Sequence, residues 1–234
     1  MGEQLAASAE IMADQANTIE CHVMADSQEL SGRLRVTVAD VCTRKLVLPA
    51  IRRFTNLYPD VDIELIATRN LLDLAAREAD VALRSTDEPP PDLVGKRIAQ
   101  LGYAIYGSHD ILVRAQEETG NGGIPCITWM GDGQSRPVWI EKSFPKTRRV
   151  YRTSELGLML EIVRKGVGMA QMPCVLVEPD PLLHRIPARY VEPGWGIWVL
   201  SHVDLRTTAR VRIFRDILVE ELEKQKTRIE GRKL

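Results

Sequence analysis

The stretch from residue 31 to residue 59 reads SGRLRVTVADVCTRKLVLPAIRRFTNLYP. Its first part, Arg33–Val38, alternates polar and apolar side chains, which predicts a β-strand. A short polar loop follows, and apolar side chains then recur with helical spacing at Val47, Ala50, Ile51 and Phe54. Because Val61–Ile66 predicts a second strand, the segment encodes a strand, a loop, a helix and a strand in that order.

Pro49 limits where this helix can begin. Proline has no N–H and its ring clashes with the preceding turn, so it is tolerated chiefly in the first turn of a helix. We therefore expect the helix to begin only a few residues before Pro49.

Strand and helix patterns keep alternating along the chain. Asp80–Leu83 and Cys126–Met130 predict further strands, and Leu71–Arg77 and Ser154–Lys165 predict helices, with Gly166 as the C-terminal cap of the latter. The apolar stripe of that helix consists of Leu156, Met159, Leu160 and Val163. Such alternation predicts mostly parallel sheets with helices on both faces, arranged as two α/β lobes with a cleft between them.

Residues 3–24 predict one long helix. Its apolar positions Leu5, Ala9, Met12, Ala16, Ile19 and Val23 follow a 4-3-4-3-4 spacing. This spacing is the seam of a short coiled coil, and it favours self-association of the chain. The alternative is an amphipathic helix that packs on its own domain.

Composition excludes several classes of protein. The 234 residues are 44% hydrophobic and 27% charged, as is ordinary for a globular protein, and the net charge of −1 gives no electrostatic attraction to nucleic acid. No apolar run approaches the ~20 residues that span a bilayer. The first residues lack the pattern of a secretory signal, so we expect a cytoplasmic protein.

Several motifs in one order resemble the effector-binding domain of LysR-type transcription regulators. They are the segment 31–59, DVALR at 80–84, KGVGMAQMP at 165–173, WVLSHVDLR at 198–206 and ARVR at 209–212. Val203 is a departure, since relatives often have proline there. The resemblance covers essentially the whole chain.

This resemblance implies two Rossmann-like subdomains around a central cleft, as in type II periplasmic binding proteins, preceded by a long linker helix at residues 1–28. Subdomain I is expected over residues 31–107 and 202–226, and subdomain II over residues 108–201. Residues 229–232 match a protease-recognition tetrapeptide of expression vectors, so residues 229–234 are expected to be a cloning remnant.

The resemblance also implies partners. These are a small-molecule effector and further copies of the chain, in a homodimer or homotetramer. DNA would be contacted only through an N-terminal winged helix-turn-helix, which the sequence lacks, so we expect a shortened form of a longer regulator.

Open α/β sheets bind ligands beyond the carboxyl ends of their strands. That rule, together with the positions of effector contacts that the resemblance implies, selects a set of candidate residues. They are Asp40, Cys42, Thr43, Thr68, Arg69, Thr128, Trp129, Thr153 and Ser154. Their hydroxyl groups, with the N–H groups of helix ends, suit a carboxylate or another anion.

Each candidate has a purely structural alternative. Thr43 and Ser154 could be helix caps, Arg69 a solvated side chain, and Trp129 part of the core. Asp40 would repel an anionic effector unless it caps a helix or pairs with a nearby arginine.

The four cysteines, Cys21, Cys42, Cys126 and Cys174, form no C-x-x-C pair and are expected to be reduced. Cys42 alone precedes a helix in a way that could activate its thiol, which leaves a redox role open. The four histidines show no metal-binding spacing, and no nucleotide-binding or nucleophile motif is present. We therefore expect neither metal nor cofactor, and a sensor rather than an enzyme. The alternative function is a two-lobed solute-binding protein of a transport system.

Overall fold

A computed structural model describes residues 30–68, 79–89, 93–116, 123–130, 136–202 and 208–232. In these ranges the strands are β1 (Gly32–Val38), β2 (Val61–Ala67), β3 (Val81–Thr86), β4 (Leu93–Gln100), β5 (Tyr103–Ser108), β6 (Cys126–Trp129), β7 (Val150–Thr153), β8 (Met169–Pro173), β9 (Leu183–Ile186) and β10 (Gly196–His202). The helices are α1 (Val41–Leu57), α2 (His109–Gln116), α3 (Val138–Ser143), α4 (Leu156–Arg164), α5 (Cys174–Val177), α6 (Ala209–Glu223) and α7 (Lys226–Ile229). The linker helix expected over residues 1–28 and the helix expected over 71–77 lie outside the described residues.

The first sheet has the strand order β2-β1-β3-β10-β4. Its parallel part pairs β1 with both β2 and β3, and β10 runs antiparallel to β3 and β4. Helices α1 and α6 pack together on one face of this sheet, where the rings of Phe54 and Phe214 meet edge to face at 5.3 Å between centroids. Both rings are fully buried, so they anchor the two helices to the core.

The second sheet repeats this scheme with the order β7-β6-β8-β5-β9. Strand β6 pairs in parallel with β7 and β8, and β5 runs antiparallel to β8 and β9. The sheets are mostly parallel in strand direction, as expected: of the five described strands in each, four run the same way, and β10 in the first sheet and β5 in the second run against them. The reason is topological: β5 and β10 are the strands by which the chain enters the other sheet.

The chain passes between the sheets at residues 101–102 and again at residues 187–195. We call these segments the first and second crossover. They touch each other, since the Leu101 N–H donates to the Trp195 carbonyl at 2.8 Å. Both expected boundaries are thus displaced: residues 103–107 belong to the second sheet, and residues 196–201 belong to the first.

Helix α4 has the predicted core face, because its buried residues are Leu156, Met159, Leu160 and Val163. Gly166 follows it with φ of 71°, a left-handed conformation that glycine adopts without steric cost. Helix α1 begins earlier than expected, so Pro49 lies in its middle rather than in its first turn. The exposed neighbours Lys45 and Leu48 leave that side of the helix open to water, which can bond the carbonyl that proline leaves unmatched.

The largest apolar cluster runs through both sheets. Val36, Leu83 and Phe214 come from the first sheet and its helices, and Ile127 and Met172 come from the second. Apolar packing is therefore continuous from one sheet to the other.

The end of the described chain is packed into the fold, including residues 229–232, which match the protease-recognition tetrapeptide. Ile229 is fully buried, and its carbonyl accepts the Gly102 N–H at 2.8 Å. The Gly231 carbonyl accepts a hydrogen bond of 3.0 Å from the Arg185 guanidinium. Residues 226–232, which we call the C-terminal segment, thus bind both the first crossover and the second sheet.

Candidate ligand-binding cleft

A cleft of about 500 Å³ lies between the two sheets. Its walls come from strand ends, from the helices that follow them and from the second crossover. The lining residues are Ala39, Asp40, Arg84, Ser85, Thr86, Tyr103, Ile127, Thr128, Trp129, Trp139, Leu156, Met159, Gln171, Glu192, Pro193, Gly194 and Trp195. Of the nine predicted residues, the structure brings Asp40, Thr128 and Trp129 to the cleft.

Asp40 stands at the junction of β1 and α1 because it caps the helix. Its carboxylate accepts the Thr43 N–H at 2.9 Å, and the Thr43 hydroxyl oxygen accepts the N–H groups of Asp40 and Ala39 at 3.0 Å each. This reciprocal pair is a capping box, with threonine in the third position of the helix. The carboxylate is thus stabilised by the positive end of α1.

Thr43 and Cys42 are in the core and do not line the cleft. Thr43 is fully buried as the third residue of the helix, and the N-cap of α1 is Asp40 rather than Thr43. Cys42 is 2% exposed and lies beside Leu46, Val175 and Leu176 around a separate cavity of about 200 Å³.

The thiol of Cys42 is not activated by its helix. Burial, and then the carboxylate of Asp40, raise the pKa of Cys42 far above its ordinary value. A protonated, buried thiol is a poor nucleophile, so the surroundings of Cys42 do not favour a redox role. For the pKa of Cys42, the increase caused by desolvation is larger than any decrease caused by the helix N-terminus.

Thr68 directly follows β2, and its N–H donates to the Val38 carbonyl at 2.9 Å. It is half-buried and is not among the residues that line the cleft. Arg69 lies outside the described residues.

On the second sheet, Thr128 and Trp129 form the end of β6, and the Thr128 side chain is 4% exposed. Thr153 is buried, and its hydroxyl oxygen accepts the Glu155 N–H at 3.2 Å. The residue that caps α4 is Glu155 rather than Ser154, since its carboxylate accepts the Gly157 N–H at 2.9 Å. Ser154 is exposed, and neither it nor Thr153 lines the cleft.

The sequence reasoning missed the second crossover as a wall of the cleft. Gln171 holds that segment, because its amide oxygen accepts the Glu192 N–H at 2.8 Å and its amide nitrogen donates to the Glu192 carbonyl at 3.3 Å. The run Glu192-Pro193-Gly194-Trp195, a turn signal beside an aromatic residue, was the available sequence signal. Tyr103, Trp139 and Met159 gave no such signal.

Arg84 belongs to the DVALR motif and is not among the nine predicted site residues. It is 2% exposed in β3, and its guanidinium donates to the Thr37 hydroxyl at 2.8 Å. Strand β3 continues to Thr86, beyond its expected end at Leu83, and this extension carries Arg84, Ser85 and Thr86 to the cleft.

A salt bridge joins the two lobes at the ends of their helices. Arg44 in the first turn of α1 lies 3.8 Å from the carboxylate of Glu155, which caps α4. Both side chains are half exposed, so solvent screens the pair and its contribution to stability is small, ~0–1 kcal/mol.

The described residues contain no cluster of three or more histidine, cysteine, aspartate or glutamate side chains suited to a metal ion. Among the same residues, no helix is long and apolar enough to cross a membrane.

Comparison with known proteins shows which family has this architecture. Residues 27–223 match the model of the LysR substrate binding domain family. Over 209 residues the chain is 26% identical to the probable HTH-type transcriptional regulator LtrA of Klebsiella pneumoniae, covering 81% of this chain and 65% of LtrA. It is 31% identical over 164 residues to the HTH-type transcriptional regulator PgrR of Escherichia coli K12, covering 63% of this chain and 53% of PgrR.

The fold is similar to the structure of CrgA, a LysR-type transcriptional regulator from Neisseria meningitidis. The TM-score is 0.75 at 19% identity, over 92% of this chain and 76% of that one. The family match in sequence and the similarity in fold therefore indicate the same class of protein. This chain therefore belongs to the LysR substrate binding domain family, the regulatory domain of LysR-type transcription regulators.

Proposed function

We propose that this chain binds a small-molecule effector in the cleft between its two sheets and thereby controls the DNA binding of a transcription regulator. The cleft itself carries the proposal. Its volume of about 500 Å³ lies within the ~300–1,000 Å³ range of small-molecule sites. Its position at the carboxyl ends of the parallel strands is where open α/β sheets hold ligands.

Both sheets contribute to the walls, which supports a role in signalling. A ligand that touches both lobes favours one relative arrangement of the lobes over others, and only such a difference in affinity can transmit a signal. The two crossovers are short and adjacent, so a change between arrangements would be concentrated there.

The remaining partners follow from the family. We propose that DNA is read by a winged helix-turn-helix domain of the whole regulator, that residues 1–28 form the linker helix to it, and that the regulator is a cytoplasmic homodimer or homotetramer. The heptad-like spacing over residues 3–24 supports pairing of that helix between two chains. We also propose that the chain acts by binding alone, without catalysis.

The test is to fill the cleft. Ser85 lines it and is half-buried, so Ser85→Phe places a ring where an effector would lie. Thr55→Phe, on the exposed side of α1, is the matched control. A screen of small metabolites by thermal shift and calorimetry should find ligands that bind the parent and Thr55→Phe saturably and do not bind Ser85→Phe. Ligands that bind all three equally would contradict the assignment of the cleft.

A further inference from the structure

Aromatic side chains are concentrated in the cleft. Three of the chain's four tryptophans, Trp129, Trp139 and Trp195, line it together with Tyr103. Trp195 is 54% exposed, a high value for so apolar a side chain. Flat rings of this kind bind the apolar body of a ligand, and the negative face of an indole also attracts a cation.

Two carboxylates share this cleft with the rings. Asp40 and Glu192 both line it, one from the first sheet and one from the second crossover. Burial, and then Cys42 and Asp40, raise the pKa of the Tyr103 phenol well above its ordinary value. Tyr103 therefore stays neutral and can donate a hydrogen bond.

Among the residues that line the cleft, Arg84 is the cation that accompanies the carboxylates of Asp40 and Glu192, and its guanidinium is already engaged by the Thr37 hydroxyl at 2.8 Å. Alternate residues of a strand share a face, so Arg84 lies on the face of Ala82. Ala82 packs in a separate cluster with Leu93 and Leu200, and it is level with Thr37, the acceptor of the Arg84 hydrogen bond. Helix α1 packs on the opposite face, with Leu83.

The helix N-termini that would attract an anion are already occupied by carboxylates of the chain. Asp40 accepts the Thr43 N–H at the start of α1. Glu155 accepts the N–H groups of Gly157 and Leu158 at the start of α4. An anionic ligand would have to displace these side chains and approach their charges.

The geometry points to a protonated amine with an aromatic or similarly flat apolar body as the ligand class of this cleft, an inference that rests on the proposed function. The rings would enclose the body, and the carboxylates of Asp40 and Glu192 would receive the ammonium group. The assignment replaces the anionic effector suggested by the strand-end rule alone.

The experiment compares three probes of matched shape by calorimetry: tryptamine, its neutral alcohol tryptophol, and indole-3-propionate. Tryptamine should bind at least tenfold more tightly than indole-3-propionate, roughly the effect of one favourable charge contact. Asp40→Asn keeps the helix cap, since asparagine caps as well as aspartate, but removes the charge. Glu192→Gln removes the other charge, and the backbone contacts of this residue with Gln171 do not need it.

Each of these two substitutions should weaken the binding of tryptamine roughly tenfold and leave the affinity for tryptophol unchanged. Asp60→Asn, an equal change of charge on an exposed turn, is the control and should change neither.

Three outcomes would overturn the amine class. If indole-3-propionate binds as well as tryptamine and Ser85→Phe abolishes its binding, the cleft keeps its role as effector site and only the ligand class is wrong. If tryptamine fails to bind at about 10 mM, where even a weak fragment of this size should bind, the class is again wrong. If tryptamine binds Ser85→Phe as it binds the parent, the proposed function fails as well.

Discussion

Thr43 holds the first turn of α1 through two hydrogen bonds that its hydroxyl oxygen accepts from the N–H groups of Ala39 and Asp40. Thr43→Val keeps the shape of the side chain but removes its hydroxyl oxygen. The N–H groups of Ala39 and Asp40 then lose this hydrogen-bond acceptor in a buried turn. We expect the free energy of unfolding in urea to fall by about 1–2 kcal/mol. Ligand binding in the cleft should change little, because Thr43 does not line it.

Thr55→Val is the matched control for this prediction. The Thr55 hydroxyl is exposed and donates within its own helix, to the Ile51 carbonyl at 3.0 Å and the Arg52 carbonyl at 3.2 Å. This substitution should change stability by less than about 0.5 kcal/mol. Equal losses in the two variants would mean that the capping box contributes nothing specific.

Residue types predicted the location of the cleft better than the roles of individual side chains. Asp40, Thr128 and Trp129 reach it because they lie at or just beyond the carboxyl ends of strands. Thr43 follows the same strand as Asp40, yet it is buried as a capping partner, and Cys42 packs into the core. Whether a residue caps the helix, packs in the core or lines the cleft depends on which side of the helix faces the second lobe. A linear sequence pattern does not contain that information.

At the scale of elements, the C-terminal segment joins parts of the fold that are distant in sequence. Ile229 is fully buried, and Gly102 approaches the segment so closely that an added Cβ would lie 2.2 Å from the Glu230 carbonyl oxygen. We expect Ile229→Ala to lower the free energy of unfolding by about 2–4 kcal/mol, because it removes buried methylene groups and leaves a cavity.

Leu57→Ala serves as its control, since Leu57 is 56% exposed at the end of α1. This change should cost less than about 1 kcal/mol. If the two variants unfold at the same urea concentration with the same slope, the C-terminal segment is not packed in solution. A protease specific for Ile-Glu-Gly-Arg supplies an independent measurement, because burial of Ile229 should protect that sequence in the folded chain.

Periodic elements were predictable and short ones were not. The stripe of α4 follows from apolar spacing alone, and its four core residues agree with the structure. Strands β4 and β5 show why other elements escape: only two residues separate them, as in a hairpin, yet they belong to different sheets. Their partners, β10 for one and β8 with β9 for the other, are far along the chain, so local pattern contains no information about the pairing.

For the whole molecule, local sequence pattern likewise does not predict how the two lobes are joined. Alternating strands and helices indicate two α/β units, and the motifs indicate their family. The positions of the crossovers depend on contacts between residues about 90 positions apart, such as the hydrogen bond of Gln100 to the Gly194 carbonyl at 3.0 Å. Such contacts form only once both sheets exist, and they also set the wall of the cleft that the sequence did not reveal.

Gly194 tests how closely the two crossovers must approach. A Cβ at this position would lie 2.1 Å from the Leu101 carbonyl oxygen and 2.7 Å from the ring of Tyr103, which lines the cleft. Gly194→Ala should therefore separate the crossovers, lower the free energy of unfolding by about 3 kcal/mol, and weaken the binding of every ligand in the cleft.

Gly32→Ala is the control for backbone strain, since Gly32 has φ of 91° but an added Cβ meets no atom within 4 Å. Its cost should be about 1 kcal/mol, with binding unchanged. Should Gly194→Ala prove no more costly than Gly32→Ala, the crossovers are free to separate, and the arrangement of the lobes does not depend on their contact.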